Sequence, residues 1–432
     1  MAPRANRFSD VAMRKDGAMT QDAPAFEEAA ERHASWPELF FDLVAVASVS
    51  VVAHQLESAL TWQQTGVLAL AFTAFWILWA SVTTYGNLLA DRASLLVLFA
   101  SMAVLGVMAA AVPEINGEHA RAFAIAYVMG RIIIARPWTK TAVVVDMPIV
   151  QTTIGVIPWI VSIWVHGDAR YVWWAVGIGL DLLGLLTQSG ERVVADAQRR
   201  LDRVLAQRGK HIERAAARGI DFSDRPGREV REIPTTITAL RGDTAHLSER
   251  MGLFVLIVLG EAIIQLTVAA EASEHWNAAL LGAAVGAFAL VCGLFLIAIV
   301  RGTAGLALVQ VGRLPARALW IGHLLASMAL VVLGSSLGRL LEQPHESTDS
   351  HTAAMLCAGL SGYALVSGAA LMASGGTRRF ALAATVACPM LVAGVVVAFA
   401  YGSLKASAIG WIFAAGVAIA ALLGGRLAKV RL

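Results

Sequence analysis

The chain is organised as long apolar segments separated by short polar ones. Most apolar runs are about 20 residues long, which is the length that a helix needs to cross ~30 Å of hydrocarbon. No run alternates apolar and polar residues as a membrane-spanning strand does, and this excludes an outer-membrane barrel. The pattern predicts an all-α polytopic membrane protein with about twelve transmembrane helices. We place these spans at residues 36–58, 64–85, 92–112, 120–136, 143–165, 170–188, 246–270, 276–300, 316–341, 352–374, 379–401 and 405–426.

Composition and charge support this reading and give it an orientation. The 432 residues are 57% hydrophobic and 15% charged, whereas soluble proteins carry about 25% charged residues. With the N-terminus inside, nearly all Lys and Arg residues fall on inward-facing segments. The exceptions lie at outer ends or within spans: Arg121, Arg131, Arg170, Arg250, Arg339 and Lys405. The positive-inside rule then predicts a multi-pass membrane protein with both termini in the cytoplasm.

Polar segments divide the chain into four parts. Residues 1–35 are polar and lack the pattern of a signal peptide, so we expect a cytoplasmic tail. Residues 36–188 and 246–432 would each hold six spans, separated by the polar segment 189–245. Two halves with an even number of spans run parallel, and transporters place substrate sites at such repeat interfaces. The sequence therefore predicts two parallel six-helix pseudo-repeats.

The central segment 189–245 is basic and contains a candidate amphipathic helix. From Val194 through Leu201 to Ile212, apolar residues recur mostly every three or four positions. We interpret it as a cytoplasmic loop lying on anionic lipid. A nucleic-acid site would need stacking aromatics, and the segment offers only Phe222. No nucleic-acid partner is expected, and the predicted partners are the bilayer and an unidentified small solute or ion.

Two carboxylates enter the first predicted span, Glu38 and Asp42. A carboxylate within hydrocarbon costs on the order of 3 kcal/mol, so such residues are candidate functional sites. Glu38 lies near the interface, where an acid also suits the helix N-terminus. Asp42 lies deeper and has either a functional role or a place in a structural ion pair. At the outer end, His54 is a candidate proton carrier because histidine titrates near neutral pH.

Two further carboxylates lie within other predicted spans. Asp181 is near the middle of the sixth span, and Gly177 and Gly184 on its face would let another helix approach. Glu261 lies in the seventh span, and Gln265 is one turn beyond it on the same face.

Arg250 is eleven residues before Glu261, about 16 Å along a helix, which is too far for a direct pair. We therefore expect a partner for Glu261 on another helix, either His323 or His54. The alternative for every intramembrane charge is a pair that only fixes helix register.

Motifs for enzymatic chemistry are absent from the sequence. There is no Walker A loop, no His-Glu-x-x-His and no Gly-x-Ser-x-Gly. Cys292, Cys357 and Cys388 fall inside apolar runs without paired spacing, so we expect small packing residues there. The sequence predicts no enzyme, no metal site and no cofactor.

Two polar–apolar blocks carry a family resemblance. Glu38-Leu-Phe-Phe-Asp-Leu-Val44 and the block from His246 to Glu261 resemble the two signatures of the bacterial low temperature requirement A (LtrA) family. The resemblance implies a multi-spanning inner-membrane protein, and it marks six polar positions: Glu38, Asp42, His246, Glu249, Arg250 and Glu261.

These features favour a secondary transporter or permease for a small solute or ion, with coupling to protons as one option. Its pathway would use Asp42, Asp181, Glu261 and Gln265, with His54 or His323 as a relay. A passive ion channel is the first alternative, because channels show continuous polar stripes with few titrating groups. A membrane scaffold or sensor with residues 189–245 as its docking element is the second.

Overall fold

The computed structural model describes residues 26–28, 35–59, 61–89, 92–136, 142–147, 150–151, 154–187, 190–216, 236–273, 275–310, 312–375 and 378–429. The predicted tail 1–35 and part of the central segment, 217–235, therefore lie almost entirely outside the described residues. The helices are α1 Trp36–Glu57, α2 Trp62–Leu89, α3 Leu95–Ala111, α4 Ala120–Ala135, α5 Val156–Ser162, α6 Ala169–Thr187, α7 Gly190–Ala216, α8 Thr244–Glu271, α9 Ala278–Phe295, α10 Ala316–Leu337, α11 Arg339–Glu342, α12 Ser350–Ala373, α13 Arg379–Ala400 and α14 Ala406–Lys429.

The fold is an all-α membrane bundle. Within the described ranges, nine helices are long and apolar enough to cross a bilayer, and they begin at Trp36, Trp62, Ala169, Thr244, Ala278, Ala316, Ser350, Arg379 and Ala406. The helix α3 is apolar but has only 17 residues. The predicted total of twelve spans and the pseudo-repeats remain predictions.

The predicted span 143–165 does not form one continuous helix. Its described residues contain a short strand, β2 Ala142–Val144, and the seven-residue helix α5. Three consecutive valines at 143–145 favour extended backbone. Pro158 lies in the first turn of α5, where its missing N–H breaks no bond within the helix but prevents the helix from extending further towards the N-terminus.

Contacts on either side of this segment show that the chain nevertheless returns across the bundle there. Tyr171 at the start of α6 donates to the carbonyl of Ile115 just before α4, at 2.9 Å. Further along both helices, Arg131 pairs with Asp181. The helices α4 and α6 therefore run in the same direction, which requires a crossing between them.

A small parallel sheet, which the sequence did not predict, lies beside α7. Its strand order is β1 Phe26–Glu28, β3 Thr238–Arg241, β2 Ala142–Val144. Val194 and Leu201 on α7 are buried against Val143, Ile237 and Ala239 of this unit. The apolar face that we expected to lie on lipid is covered there by the sheet. Strands this short, from three distant parts of the chain, leave no periodic pattern to detect.

The helix α9 continues as a π-helix, Leu296–Val300, and then leads into a buried irregular segment. We call residues 301–310 the buried loop, because most of its residues between 303 and 309 are inaccessible to solvent. Side chains of α12 bind its backbone: Tyr363 donates to the Gly305 carbonyl at 3.0 Å, and Ser367 accepts from the Ala307 amide at 3.2 Å. Such bonds allow irregular backbone to persist within a membrane bundle.

Candidate functional site

The start of α8 is fixed by polar contacts with its own cap and with the end of α2. Asp243 accepts hydrogen bonds from the amides of Ala245 and His246. The side chain of Asn87 binds both the Asp243 carbonyl and the Asp243 amide, at 3.0 and 2.9 Å. These bonds set the register of α8, so that His246 and Arg250 occupy successive turns of one face.

Asp42 and Arg250 form a buried, two-pronged ion pair between α1 and α8. Arg250 Nε lies 2.5 Å from Asp42 Oδ2, and Nη2 lies 2.6 Å from Oδ1. Trp79 of α2 donates a third hydrogen bond to Asp42 Oδ1, at 2.8 Å. Asp42 and Arg250 are 2% and 1% exposed, so the pair is removed from solvent. Among the described residues, every hydrogen bond to this carboxylate comes from a group that only donates.

Glu38 joins the same pair one turn earlier on α1. Its Oε1 lies 3.5 Å from Arg250 Nη1 and 3.7 Å from His246 Nε2, while Oε2 accepts from the amide and hydroxyl of Ser35. Gly86 of α2 makes room for it, because a Cβ there would stand 2.5 Å from Glu38 Oε1. Glu38 therefore both caps α1 and binds α8. We call Glu38, Asp42, Trp79, His246 and Arg250 the carboxylate–arginine cluster.

His323 of α10 lies next to this cluster and connects it to the buried loop. Its Nδ1 is 3.0 Å from the carbonyl of Ala304, and its ring centroid is 5.4 Å from that of Trp79. Ala304 and Leu308 have positive φ angles of 54° and 59°, an arrangement that costs non-glycine residues of the order of 1 kcal/mol or more. Strained backbone of this kind is concentrated at functional sites.

Glu261 lies about 16 Å farther along α8 than Arg250 and has different neighbours. Ser50 of α1 donates to Glu261 Oε2 at 2.5 Å, and the Gln265 amide donates to Oε1 at 2.8 Å. Among the described residues, no cation pairs with this carboxylate, which is 8% exposed. We call Ser50, Glu261 and Gln265 the Glu261 site. The expected partner, His323 or His54, is replaced by Ser50.

A second pair of titratable groups lies beyond this site, at the end of α1. His54 is exposed, and its Nδ1 is 3.7 Å from Oε2 of the half-buried Glu57. A Cβ at Gly338 would stand 2.7 Å from Glu57 Oε1 and 3.3 Å from the Gln265 carbonyl. Glu57 is thus placed between the exposed His54 and the backbone of the Glu261 site.

Asp181 belongs to a separate ion pair inside the first half. It pairs with Arg131 of α4, which also lies 3.0 Å from the Tyr127 hydroxyl. A Cβ at Gly155 would collide with the Asp181 carboxylate, so this glycine is what admits the acid. The hydrogen bonds and ion pairs of this pair involve other residues than those that bind Asp42 and Glu261, and a pathway through all three carboxylates remains a prediction.

The sequence prediction missed several parts of this arrangement. Asp42, Arg250, Glu38 and His246 meet, whereas the side chain of Glu249 is exposed. Trp79 and the buried loop were not anticipated, although the sequence Arg301-Gly-Thr-Ala-Gly305 after the eighth span is a signal of irregular backbone. In the described part of the chain, no group of three His, Cys, Asp or Glu residues is placed to hold a metal ion.

Comparison with known families gives one match. The sequence model described as bacterial low temperature requirement A protein (LtrA) matches residues 33–422. No curated protein and no solved structure matches the chain.

Proposed function

The chain belongs to the bacterial low temperature requirement A (LtrA) family, and we propose that this integral membrane protein is a proton-linked carrier of a small solute or ion. Glu261 is the carboxylate that takes up and releases the proton. We further propose the bacterial inner membrane as its location, with both termini in the cytoplasm, as the distribution of Lys and Arg predicts. The proposal includes neither an enzymatic reaction nor a nucleic-acid partner.

The observation that carries the proposal is the set of groups around Glu261. A serine hydroxyl both donates and accepts hydrogen bonds. Ser50 can therefore donate to the ionised carboxylate and accept from the protonated acid, while Gln265 keeps donating to the other oxygen. Both protonation states of Glu261 are satisfied without moving a charged partner. A group that must gain and lose a proton in each cycle needs such an environment.

Position supports the same assignment. The helices α1 and α8 run parallel, since α1 contacts α8 first through Asp42 and Arg250 and then through Ser50 and Glu261. They are the first helices of the two predicted halves, and transporters bind their substrates and coupling ions at such interfaces. Glu57 and His54 extend from the Glu261 site towards the exposed end of α1 and provide titratable groups for proton exchange.

Proton movement in liposomes tests the proposal. Purified protein is reconstituted with an internal pH dye, sodium and potassium gradients are imposed, and a panel of small solutes is screened. We expect proton movement that requires one of these solutes and is lost in Glu261→Gln. The matched control is Glu271→Gln, an exposed glutamate at the end of the same helix, which should behave as the wild type.

Other outcomes would overturn either the whole proposal or only the assignment of Glu261, and they can be distinguished. Voltage-driven ion flux without any solute would indicate a channel. Silence from folded protein across the panel would indicate a scaffold or sensor, and residues 189–245 would become the segment to delete. Solute-dependent proton movement that survives Glu261→Gln would leave the carrier assignment intact and reject Glu261 as the proton site.

A further inference from the structure

Five arginines converge on one cavity at the end of the bundle where α9 and α14 finish and α13 begins. The cavity has a volume of about 460 Å³. The arginines come from the buried loop, from the segment before α10, and from α13 and α14, and they are Arg301, Arg313, Arg378, Arg379 and Arg426. None of the described residues that line the cavity is acidic. Among the described residues, no carboxylate forms an ion pair with any of these arginines.

Orientation by positive charge does not by itself explain this convergence. The positive-inside rule places Lys and Arg near the cytoplasmic ends of helices, and it does not require them to share a cavity. Arg317, in the first turn of α10 at the same end of the bundle, does not line the cavity. Guanidinium groups gathered without acids produce a positive potential of several kT, which attracts an anion.

The backbone around the cavity is shaped to hold Arg301 in place. Its Nη1 donates to the Ala421 carbonyl at 2.9 Å. A Cβ at Gly425 would stand 2.9 Å from the same Nη1, so the glycine permits the guanidinium to lie against α14. One nitrogen of Arg301 is therefore anchored, and its other N–H groups remain available to a ligand in the cavity.

The N-terminus of α13 adds to the positive potential. Arg378 and Arg379 are the cap and first residue of this 22-residue helix, and the side chain of Arg378 forms no capping hydrogen bond with its first amides. Helix N-termini bind anions through these amides and the helix dipole. Arg379 also lies over the ring of Phe380, at 5.2 Å, which leaves the edge of its guanidinium free to form hydrogen bonds.

Leucine side chains form the remaining wall of the cavity. They come from the buried loop and three helices: Leu308, Leu371, Leu382, Leu422 and Leu427. A cationic rim beside an apolar wall matches a phosphate group attached to apolar material. Basic pockets between transmembrane helices bind lipid head groups in this way. We propose that this cavity binds a phosphate-bearing anion, either the head group of an anionic phospholipid or a soluble phosphate compound.

Binding measurements on the purified full-length protein test the proposal and separate the two sources. Native mass spectrometry compares retention of phosphatidylglycerol with that of phosphatidylcholine. Thermal unfolding, followed by tryptophan fluorescence, measures protection by inorganic phosphate. The test variant is Arg378→Gln/Arg379→Gln, with Arg378→Lys/Arg379→Lys as its charge-preserving counterpart. Arg317→Gln is the control outside the cavity.

We expect the wild type and Arg317→Gln to retain phosphatidylglycerol in preference to phosphatidylcholine. The double glutamine variant should bind it roughly 25-fold more weakly, since each arginine near the membrane surface contributes about fivefold. The double lysine variant should keep most of the affinity. Protection by inorganic phosphate that is lost in the glutamine variant, without selection between the lipids, would support the same site with a soluble ligand.

The proposal would be overturned if the wild type and the double glutamine variant bound phosphatidylglycerol equally well and were protected equally by inorganic phosphate. If that variant fails to fold, Arg313→Gln/Arg426→Gln removes charge from the opposite side of the cavity and serves the same comparison. The proposal does not depend on the carrier activity, because both readouts are made without transport.

Discussion

The two ends of the α1–α8 interface place a buried carboxylate in opposite surroundings. At one end, Asp42 is held by Arg250 and Trp79, whose groups only donate hydrogen bonds. At the other end, Glu261 is held by Ser50 and Gln265, which are neutral and include a hydroxyl that can reverse its role. The same pair of helices thus holds one carboxylate against a cation and the other between neutral groups.

This difference is the basis on which we propose a functional role for Glu261 and expect a structural one for Asp42. Protonation of Asp42 would leave the guanidinium of Arg250 buried, with Glu38 as its one acidic neighbour in the described part of the chain. Protonation of Glu261 would only reverse one hydrogen bond. A carboxylate inside a membrane is costly, and the pairing with Arg250 offsets that cost for Asp42. Among the described residues, no cation offsets that cost for Glu261, and this favours a functional reason for its presence.

The largest expected effect on stability comes from replacing Arg250. Arg250→Gln leaves Asp42 and Glu38 buried without their shared cation, and breaking a buried pair from one side costs about 3–5 kcal/mol. We expect this loss in the free energy of unfolding, measured in detergent or lipid. The control is the double variant Asp42→Asn/Arg250→Gln, which should recover part of it. A single variant as stable as the wild type would show that the cluster does not join the two helices.

The sequence predicted helix positions much better than helix partners. Long apolar runs fixed most spans, since crossing the membrane is a local requirement on length and hydrophobicity. The partners of Asp42 and Asp181 are arginines that lie 208 and 50 residues away along the chain. The sequence placed Arg250 and Arg131 within spans, but nothing local distinguishes which acid each would meet.

Irregular segments were the other limit of sequence reasoning. Residues 143–165 have the composition of a span and yet contain a strand and a short helix. The buried loop follows the eighth span and turns back into the bundle, where Tyr363, Ser367 and His323 bind its backbone. Hydropathy describes the environment of a segment, and tertiary hydrogen bonds decide whether its backbone is helical.

A smaller effect is expected where α2 approaches the cluster. Gly86→Ala would place a methyl group 2.5 Å from Glu38 Oε1 and push this carboxylate away from Arg250 and His246. Overpacking of this kind costs about 1–3 kcal/mol in the free energy of unfolding. Gly66→Ala, on the same helix, is the matched control, because nothing lies within 4 Å of its added methyl group. That control should be neutral or up to about 1 kcal/mol more stable, since alanine favours helices.

The smallest expected effect on stability is at Glu261. Glutamine has the same shape as glutamate, keeps one carbonyl oxygen as an acceptor for Ser50 or Gln265, and removes a buried charge that has no cationic partner among the described residues. We expect Glu261→Gln to change the free energy of unfolding by less than about 1 kcal/mol, even though proton movement is lost. The change that Arg250→Gln causes in the free energy of unfolding, measured in the same assay, is the value with which the change at Glu261 is compared. A loss at Glu261 as large as that at Arg250 would mean that its charge holds α1 and α8 together. The two ends of the interface would then be alike, and the reason to assign the proton to Glu261 would disappear.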